Sequence, residues 1–447
     1  MTPAEAASLP SFRKFLGLCV PLAFTFLLMT GSAPIVNAGI TRMAEPGEED
    51  TEVGGFAIAF AVALFLHSPT FSIRDVALKV IGGRSSLRRV HLVWGALALA
   101  VAGLDVLAAL TPLGVFLFTR IMGATDTIVA RAQPALLIFA PMPLLIVWRG
   151  IYQAVHVGQD RARLLGYGTA IRMVVMAIIA IGLGPYLGLP GASLGALAFT
   201  MGILVEAVLS AAWARGYPAL RADDAGRAPR IAELVRLASP LWIAGYLQVI
   251  VMPLIFRVIN EMADAPDNIA TMEVVKSLVW FLTSTAFSFQ IVTIAWVKSP
   301  RHLVAVVRFA LVVVGGLCGL LVLLALPPVR DLILVHAMKI DRESIRALAA
   351  HALWIGVPFP LIVGARSVLR GLVIVTGRTV WVTLATLLAF APFVVLLVGG
   401  WYLRRPGGAL LGTGLWLGGS LLETLLLLGA MVWAGLWRRF AASPASA

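Results

Sequence analysis

The sequence is poor in cysteine and in acidic residues. Its 447 residues include only two cysteines, Cys19 and Cys318, and 22 aspartates and glutamates against 35 lysines and arginines. Two cysteines in separate apolar segments provide neither a disulfide framework nor a zinc site, so we predict no metal and no cofactor. The Walker phosphate loop, the HExxH helix and the Gly-x-Ser-x-Gly elbow are also missing from the sequence, which argues against an enzyme and against ATP-driven pumping by this chain.

Apolar residues dominate what is present. The chain is 60% hydrophobic and 13% charged, and long apolar runs recur from end to end, so we predict an all-α polytopic membrane protein whose partner is the lipid bilayer. No soluble segment is long enough to carry a basic face for nucleic acid. About twelve spans of roughly 20 residues or more are predicted, near 13–42, 53–82, 88–112, 131–158, 163–187, 191–215, 231–262, 268–298, 303–327, 346–375, 378–402 and 408–437, with short interfacial pieces around 113–124 and 329–340.

Successive loops alternate in charge. The acidic segments EPGEED (45–50) and ADAPD (263–267) lie on one side of the predicted topology, and most loop arginines lie on the other. The positive-inside rule then explains most of the net charge of +13 and predicts that both termini are cytoplasmic. We expect an integral protein of the bacterial inner membrane, whose longest polar connector, 216–230, is cytoplasmic.

The chain contains an internal repeat. FLHSPTFSIRDV (65–76) aligns with FLTSTAFSFQIV (281–292), and LPGASLGA (189–196) aligns with RPGGALLGT (405–413). The offset stays near 216–219 along the whole half. An even number of spans per repeat gives both halves the same orientation, so we predict two parallel six-helix bundles with a substrate site between them. The predicted divisions are an N-terminal bundle, a cytoplasmic linker and a C-terminal bundle, at 1–215, 216–230 and 231–447.

Arginines inside the predicted spans are the main functional signal. Ionisable residues at this depth are costly and usually face a cavity or a partner. Arg149 and Arg366 lie deepest, and each follows a Pro-x-Pro motif, six residues after Pro143 and Pro360 respectively. Because proline interrupts a helix, these two prolines are hinge candidates. Three further arginines in the spans are Arg74, Arg172 and Arg370.

Structural explanations for these arginines stay open. Asp75 could compensate Arg74, Glu206 could pair with Arg172, and Arg370 could extend its side chain towards the membrane surface. Pairing of the arginines with the buried carboxylates Glu206, Glu423 and Asp75 would weaken the hypothesis of an anion-binding site. A water-filled vestibule shared by Arg149 and Arg366 would strengthen that hypothesis.

The distribution of acids decides between classes of substrate. A cation-coupled drug exporter needs a carboxylate in its cavity, yet the first span contains no Asp or Glu. Guanidinium groups bind carboxylates and phosphates through a bidentate fork, so we predict a small anionic substrate. The predicted substrate-binding residues are Arg149, Arg366, Arg74, Arg370, Asn37 and Gln290, and other polar candidates are His67, Ser68, Gln153, Gln248 and Ser284.

Three segments resemble a known family: SAPIVNAGITR (32–42), LGLPGASLGALAFTMGILVEA (187–207) and VPFPLIVGARSVLRGL (357–372). The chain resembles the multidrug/oligosaccharidyl-lipid/polysaccharide (MOP) exporter superfamily, and within it the progressive ankylosis (ANKH) transporter family. The resemblance implies two six-helix bundles around a central cavity and export of pyrophosphate, nucleotide or citrate by rocking-bundle alternating access. Two alternatives remain, a lipid-linked oligosaccharide flippase and a MATE-type cation-coupled multidrug exporter. A membrane-embedded enzyme would need a cluster of His, Asp or Glu near one face, which the sequence does not show.

Overall fold

The computed structural model describes residues 12–217, 220–224, 226–338, 340, 342–399, 407–433 and 435. Every regular element in this part of the chain is helical, which confirms the predicted all-α fold. The first eleven helices are α1 (Phe12–Thr30), α2 (Ser32–Met43), α3 (Glu49–His67), α4 (Ile73–Val80), α5 (Arg84–Leu110), α6 (Pro112–Phe116), α7 (Asp126–Phe139), α8 (Met142–Gly158), α9 (Arg163–Ala177), α10 (Gly184–Leu187) and α11 (Gly191–Ala214). The next nine are α12 (Ile231–Asn260), α13 (Ala265–Thr283), α14 (Ser288–Trp296), α15 (Pro300–Ala325), α16 (Pro327–Asp331), α17 (Glu343–Gly356), α18 (Phe359–Thr376), α19 (Val380–Gly399) and α20 (Gly408–Trp433).

Long apolar helical segments account for the predicted spans. In the described part of the chain, eleven segments are long and apolar enough to cross a membrane, and the shorter apolar helix Val380–Val395 lies within the predicted span 378–402. The ends of the predicted spans 378–402 and 408–437 lie outside the described residues. Six spans consist of two consecutive α-helices, namely α1–α2, α3–α4, α7–α8, α9–α10, α13–α14 and α17–α18.

Two of these divided spans break at matching positions of the repeat. A 3₁₀ turn over Ser68–Ser72 separates α3 from α4, and another over Ser284–Phe287 separates α13 from α14. At the first break the Thr70 hydroxyl donates to the carbonyl of His67 at 2.7 Å, and at the second the Ser284 hydroxyl donates to that of Phe281 at 2.8 Å. Hydroxyl side chains that bond nearby carbonyls compete with α-helical bonding, which explains why both spans change helix type here.

The two pieces predicted to be interfacial are short helices. Each begins with a proline in its first turn, where the missing N–H costs nothing, and each continues into a π-helical turn, over Leu117–Ile121 and Leu332–Ala337. A Cβ at Gly114 would lie 1.8 Å from the Ala108 carbonyl oxygen, so α6 folds back tightly against the end of α5 only because this residue is glycine. The location of these two pieces at the membrane surface stays a prediction.

Contacts divide the described chain into two compact units. The N-terminal unit comprises residues 28–246, and the C-terminal unit comprises the described residues up to 27 and those from 247 onwards. The unit boundaries fall within α1 and α12, so each of these helices contributes to both units. The division of the sequence into 1–215, 216–230 and 231–447 stays a prediction.

Close helix packing is repeated inside the two units. In the N-terminal unit, a Cβ added at Gly195 of α11 would lie 2.7 Å from Ile40 Cδ1 of α2. In the C-terminal unit, a Cβ added at Gly412 of α20 would lie 2.7 Å from Ile259 Cδ1 of α12. The small residues of the repeated LPGASLGA and RPGGALLGT segments therefore serve helix packing, as small residues commonly do in membranes.

The N-termini of α11 and α20 are capped by matching residues from elsewhere in each unit. Glu52 accepts a hydrogen bond from the Ala192 amide at 2.7 Å, and Asn268 accepts one from the Ala409 amide at 2.8 Å. Each bond satisfies an amide that the helix itself leaves without a partner. The repeat visible in the sequence is thus a repeat of tertiary contacts.

Asp224, in the predicted cytoplasmic linker, caps the start of α5. Its carboxylate accepts hydrogen bonds from the amides of Ser85 at 3.0 Å and Ser86 at 3.1 Å. Burial acts to raise the pKa of Asp224, but the hydrogen bonds from Ser86 and Ser85 outweigh it and lower the pKa. The linker is therefore attached to the N-terminal unit by a charge at a helix N-terminus.

Candidate functional site

A buried cluster in the N-terminal unit centres on Glu206. Its Oε2 accepts hydrogen bonds from Arg149 Nη1 at 2.7 Å and Arg172 Nη1 at 3.4 Å, and its Oε1 accepts from Gln153 Nε2 at 3.0 Å and Thr169 Oγ1 at 2.9 Å. The glutamate comes from α11, Arg149 and Gln153 from successive turns of α8, and Thr169 and Arg172 from α9. The side chains of Arg172 and Glu206 are 2% and 1% exposed. We call these five residues the N-terminal cluster.

A second cluster in the C-terminal unit centres on Glu423 of α20. Its Oε2 accepts a hydrogen bond from Arg366 Nη1 at 3.1 Å, and its Oε1 accepts from Arg370 Nε at 2.8 Å and Thr386 Oγ1 at 3.1 Å. Arg370 Nη2 also contacts Glu423 and donates to Thr386 at 3.1 Å. The two arginines come from successive turns of α18, and the threonine comes from α19. These four residues form the C-terminal cluster.

Three residues of the two clusters correspond at an offset of 217. Glutamate, the first arginine and threonine are the same in both, at 206 and 423, 149 and 366, and 169 and 386. The second arginine differs in origin. Arg370 occupies the position of Gln153, whereas the position that matches Arg172 is Ala389. Each cluster therefore holds two arginines, but their second arginines stand at non-equivalent positions.

Each cluster contains two guanidinium groups for one carboxylate. Arginine stays protonated in proteins, and a glutamate that accepts hydrogen bonds from two arginines is held in its ionised form. Each cluster thus carries an excess of one positive charge in a region shielded from water. A buried charge without a partner of opposite charge is costly, so each cluster would be stabilised by a bound anion.

A cavity opens beside the C-terminal cluster. Its volume is about 110 Å³, enough for several water molecules. Arg366, Thr386 and Glu423 supply its charged and polar wall, together with Gln248 and Ser420. Aromatic rings form much of the remainder, namely Trp280, Phe287, Phe390, Phe393 and Trp416.

The predicted hinge prolines begin helices. Pro143 and Pro360 lie in the first turns of α8 and α18, which start at Met142 and Phe359 after breaks in their spans. At that position a proline leaves no helical hydrogen bond unmade. The breaks precede the prolines, and each arginine lies two turns into the new helix. Their role as hinges stays a prediction.

The other predicted binding residues lie at varying distances from the clusters. Arg74 and Asp75 lie in the first turn of α4, where Arg74 interacts electrostatically with Asp75, Arg149 and Glu206. Asn37 is half-buried on α2. Gln290 is half-buried on α14, and its carbonyl would lie 3.0 Å from a Cβ at Gly371, the residue after Arg370.

Two expectations about single arginines have clear outcomes. The expected pairing of Arg172 with Glu206 is confirmed by their hydrogen bond. Extension of Arg370 towards the membrane surface is wrong, because its side chain is 12% exposed and donates to Glu423. Sequence reasoning missed Thr169 and Thr386, although both lie 37 residues before the glutamate of their repeat.

Comparison with known proteins places this fold. The family model for the progressive ankylosis protein (ANKH) matches residues 3–217, which supports the resemblance drawn from the sequence. A eukaryotic MATE transporter, AtDTX14, matches with a TM-score of 0.75 at 13% identity over 96% of this chain and 98% of that chain. A MOP superfamily transporter from Pyrococcus furiosus, described as having a binding pocket of reverse polarity that suggests a different function, matches with a TM-score of 0.67 at 14% identity over 96% of both chains. An outward-facing multidrug resistance MATE transporter matches with a TM-score of 0.66 at 15% identity, over 95% of this chain and 96% of that chain. The chain therefore has the fold of the MATE/MOP transporters.

Proposed function

We propose that this membrane transporter of the MATE/MOP type exports a small polyanion of the pyrophosphate, nucleotide or citrate kind. The observation that carries the proposal is the excess of guanidinium groups over carboxylates in each buried cluster. A bound anion would neutralise the excess charge and gain charge-assisted hydrogen bonds that are stronger where water is excluded. Arg149 and Arg366 are the principal proposed ligands, with Arg74 and Arg370 next to them.

The glutamates limit this proposal and also shape it. Pairing of Arg149 with Glu206 and of Arg366 with Glu423 removes half of the positive charge on which the sequence-based prediction depended, and to that extent it weakens the prediction. What remains is one unmatched charge per cluster, with guanidinium groups held in place by a fixed carboxylate. Preorganised donors bind an anion with less loss of side-chain freedom than free arginines do.

Two independent likenesses support an anionic substrate. The ANKH family matched by residues 3–217 suggests export of pyrophosphate or citrate. The Pyrococcus furiosus MOP transporter, described as having a pocket of reverse polarity, is a precedent for this fold with altered pocket charge. Outward movement of the anion by alternating access, in a bacterial inner membrane with both termini cytoplasmic, completes the proposal.

One observation favours a second function. The cavity beside Glu423 is lined by five aromatic rings, and rings beside a carboxylate suit an organic cation. A MATE-type multidrug exporter is therefore the main competitor. A lipid-linked oligosaccharide flippase is the other, because its pyrophosphate headgroup would suit the same arginines.

The test is counterflow in proteoliposomes that contain the full chain. Labelled pyrophosphate, ATP, citrate and the organic cation ethidium are offered separately to wild type and to Arg149→Gln, Arg366→Gln and Arg370→Gln. Arg257→Gln is the matched control, because Arg257 is an exposed residue of α12 whose partner Glu261 is also exposed. Size-exclusion profiles and Trp fluorescence establish that each variant is folded.

We expect uptake of at least one anion by wild type and by Arg257→Gln, and at least a tenfold loss in the three cluster variants. Ethidium uptake by wild type that Arg370→Gln retains, without uptake of any anion, would contradict anion transport and support the drug exporter. Absence of all uptake, together with scrambling of an isoprenoid-pyrophosphate lipid, would contradict it in favour of the flippase.

A further inference from the structure

A buried histidine–aspartate pair lies in the N-terminal unit apart from the arginine clusters. His67, the last residue of α3, and Asp105, near the end of α5, are joined by a contact of 2.7 Å between His67 Nε2 and Asp105 Oδ2. Both side chains are completely buried. Neither residue has a role in the proposed binding of the anion, so the pair needs its own explanation.

The other polar atoms of this pair are without hydrogen-bond partners among the described residues. His67 Nδ1 and Asp105 Oδ1 are both buried and unbonded, and so is the hydroxyl of the adjacent Ser68. A buried polar atom that lacks a hydrogen bond costs roughly 1–3 kcal/mol. Two of these atoms lie at the helix break after α3 and the third lies on α5, and the unbonded His67 Nδ1 is able to accept a further proton.

The matching positions of the second repeat show that the fold does not require this pair. At an offset of 216, His67 corresponds to Thr283 and Asp105 to Leu321. Both counterparts are buried, and the 3₁₀ break after position 283 is retained. The helix break thus forms without histidine or aspartate, so a structural role at the break does not account for them.

The other charged groups on the surrounding elements do not contact the pair. Helix α3 packs against α2, α5, α7 and α11, and α5 packs also against α4, α6 and α8. The other titratable side chains on these helices are Arg42, Glu49, Asp50, Glu52, Arg74, Asp75, Lys79, Arg84, Arg88, Arg89, His91, Asp126, Arg131, Arg149, Tyr152, His156 and Glu206. In the described chain, none of them makes a hydrogen bond or ion pair with the His67 ring or the Asp105 carboxylate.

The charge state of the pair therefore depends on a single proton. With neutral imidazole donating from Nε2 to an ionised carboxylate, the pair carries one negative charge in a buried site. With Nδ1 also protonated, it becomes an imidazolium–carboxylate pair of zero net charge. Burial favours the second state, because its two opposite charges are paired and cancel.

We propose that the His67–Asp105 pair is a proton-binding site, loaded at His67 Nδ1, through which anion transport is coupled to proton movement. The coupling rests on the proposed anion transport, whereas the proton site itself does not. Asp105 positions the imidazole ring and balances its charge, and Nδ1 takes and releases the proton. Transport of one proton with each anion would make its accumulation respond to a pH difference as well as to its own gradient.

The proton site is tested without transport. The protein is labelled with ¹⁵N-histidine, and the ring nitrogen signals are followed between pH 5 and pH 9, with His67→Gln used to assign the signal of His67. We expect His67 to pass from a neutral to a doubly protonated ring within this range, and to lose that behaviour in Asp105→Leu. A His67 ring that keeps one protonation state throughout the range would overturn the inference.

Coupling is tested in proteoliposomes with the anion that gives the largest counterflow. At fixed membrane potential, one coupled proton per anion changes the steady-state accumulation about tenfold for each unit of imposed pH difference. We expect this response in wild type and in the exposed control His351→Gln. It should be absent from His67→Thr/Asp105→Leu, which places the second repeat's residues at both positions.

The outcomes separate the two proposals. If His67 titrates but no anion is carried, the proton site stands and anion transport fails. If an anion is carried and the double variant keeps the full response to pH difference, the coupling inference fails while anion transport stands. A double variant that does not fold would be replaced by His67→Gln alone, with the same two results expected.

Discussion

Removal of Glu423 and removal of Arg370 should have very different effects on stability. Each substitution to glutamine keeps much of the side-chain shape and deletes one charge from the C-terminal cluster. Glu423→Gln leaves two guanidinium groups without the only carboxylate that contacts them in the described structure. Arg370→Gln leaves Arg366 paired with Glu423, and it installs the residue that the first repeat has at position 153.

The magnitude follows from the geometry of the pair. At the 3.1 Å separation of Arg366 Nη1 and Glu423 Oε2, Coulomb attraction with an effective dielectric constant of about 20 is ~5 kcal/mol. Measured costs of breaking buried ion pairs by removing one partner are about 3–5 kcal/mol. We therefore expect Glu423→Gln to lower the free energy of unfolding by about 3–5 kcal/mol. Arg370→Gln should lower it by less, about 1.5–3 kcal/mol, which is the contribution of a hydrogen bond to a charged group.

Denaturant titration of the purified protein in detergent, followed by Trp fluorescence, measures the difference. Glu206→Gln provides the same test in the N-terminal cluster, where it should resemble Glu423→Gln. Equal losses for Glu423→Gln and Arg370→Gln, or a greater loss for Arg370→Gln, would refute the claim that each cluster holds an excess positive charge. The proposed anion site would lose its principal support with that result.

Three further predictions concern folding. Asp224→Ala should lower the free energy of unfolding by about 1 kcal/mol at neutral pH, because it removes a helix cap. The folded-state pKa of this carboxyl is lowered, so the stability difference between wild type and variant should persist above about pH 4 and vanish as the pH falls through the folded-state pKa. A stability difference that is the same at pH 7 and pH 3 would contradict this. Gly114→Ala should lower the free energy of unfolding by about 1–3 kcal/mol or more, because the new Cβ clashes with the Ala108 carbonyl. Gly103→Ala is the control and should be neutral or slightly stabilising, because space is open around Gly103. Equal shifts in melting temperature for the two variants would be inconsistent with the tight α5–α6 turn. Asn268→Ala should cost about 1–3 kcal/mol in denaturant titration by leaving a buried amide of α20 unsatisfied, and an unchanged midpoint would rule out this cap.

Much of the fold could be predicted because the bilayer imposes strong constraints on sequence. Apolar length determined the spans, and ordered landmarks at a constant offset identified the repeat. The division of the span Glu49–Val80 at Ser68 could not be derived from hydropathy, because it depends on hydroxyl groups bonding nearby carbonyls. The unit boundaries within α1 and α12 also depend on tertiary contacts, which hydropathy does not encode.

The sequence predicted the arginines of the site, but it did not predict most of their hydrogen-bond partners. Arg149 and Arg366 were identified from their depth and their prolines, but their partners lie 57 residues further along the chain. That separation is the same in both repeats and could have indicated the pairing. His67 and Asp105, 38 residues apart, have no counterpart in the second repeat, so repetition offered no guide to their contact.

The two clusters also differ in what a movement of helices would do to them. Arg366 and Arg370 belong to one helix, one turn apart, so the spacing of their guanidinium stems is fixed by α18 itself. Arg149 and Arg172 belong to α8 and α9, so any sliding of one helix past the other lengthens or shortens the gap between them. The two repeats thus contain one rigid pair of positive charges and one adjustable pair. An anion between Arg366 and Arg370 would keep constant distances to both guanidinium groups, whereas helix movement would change the distances of an anion between Arg149 and Arg172.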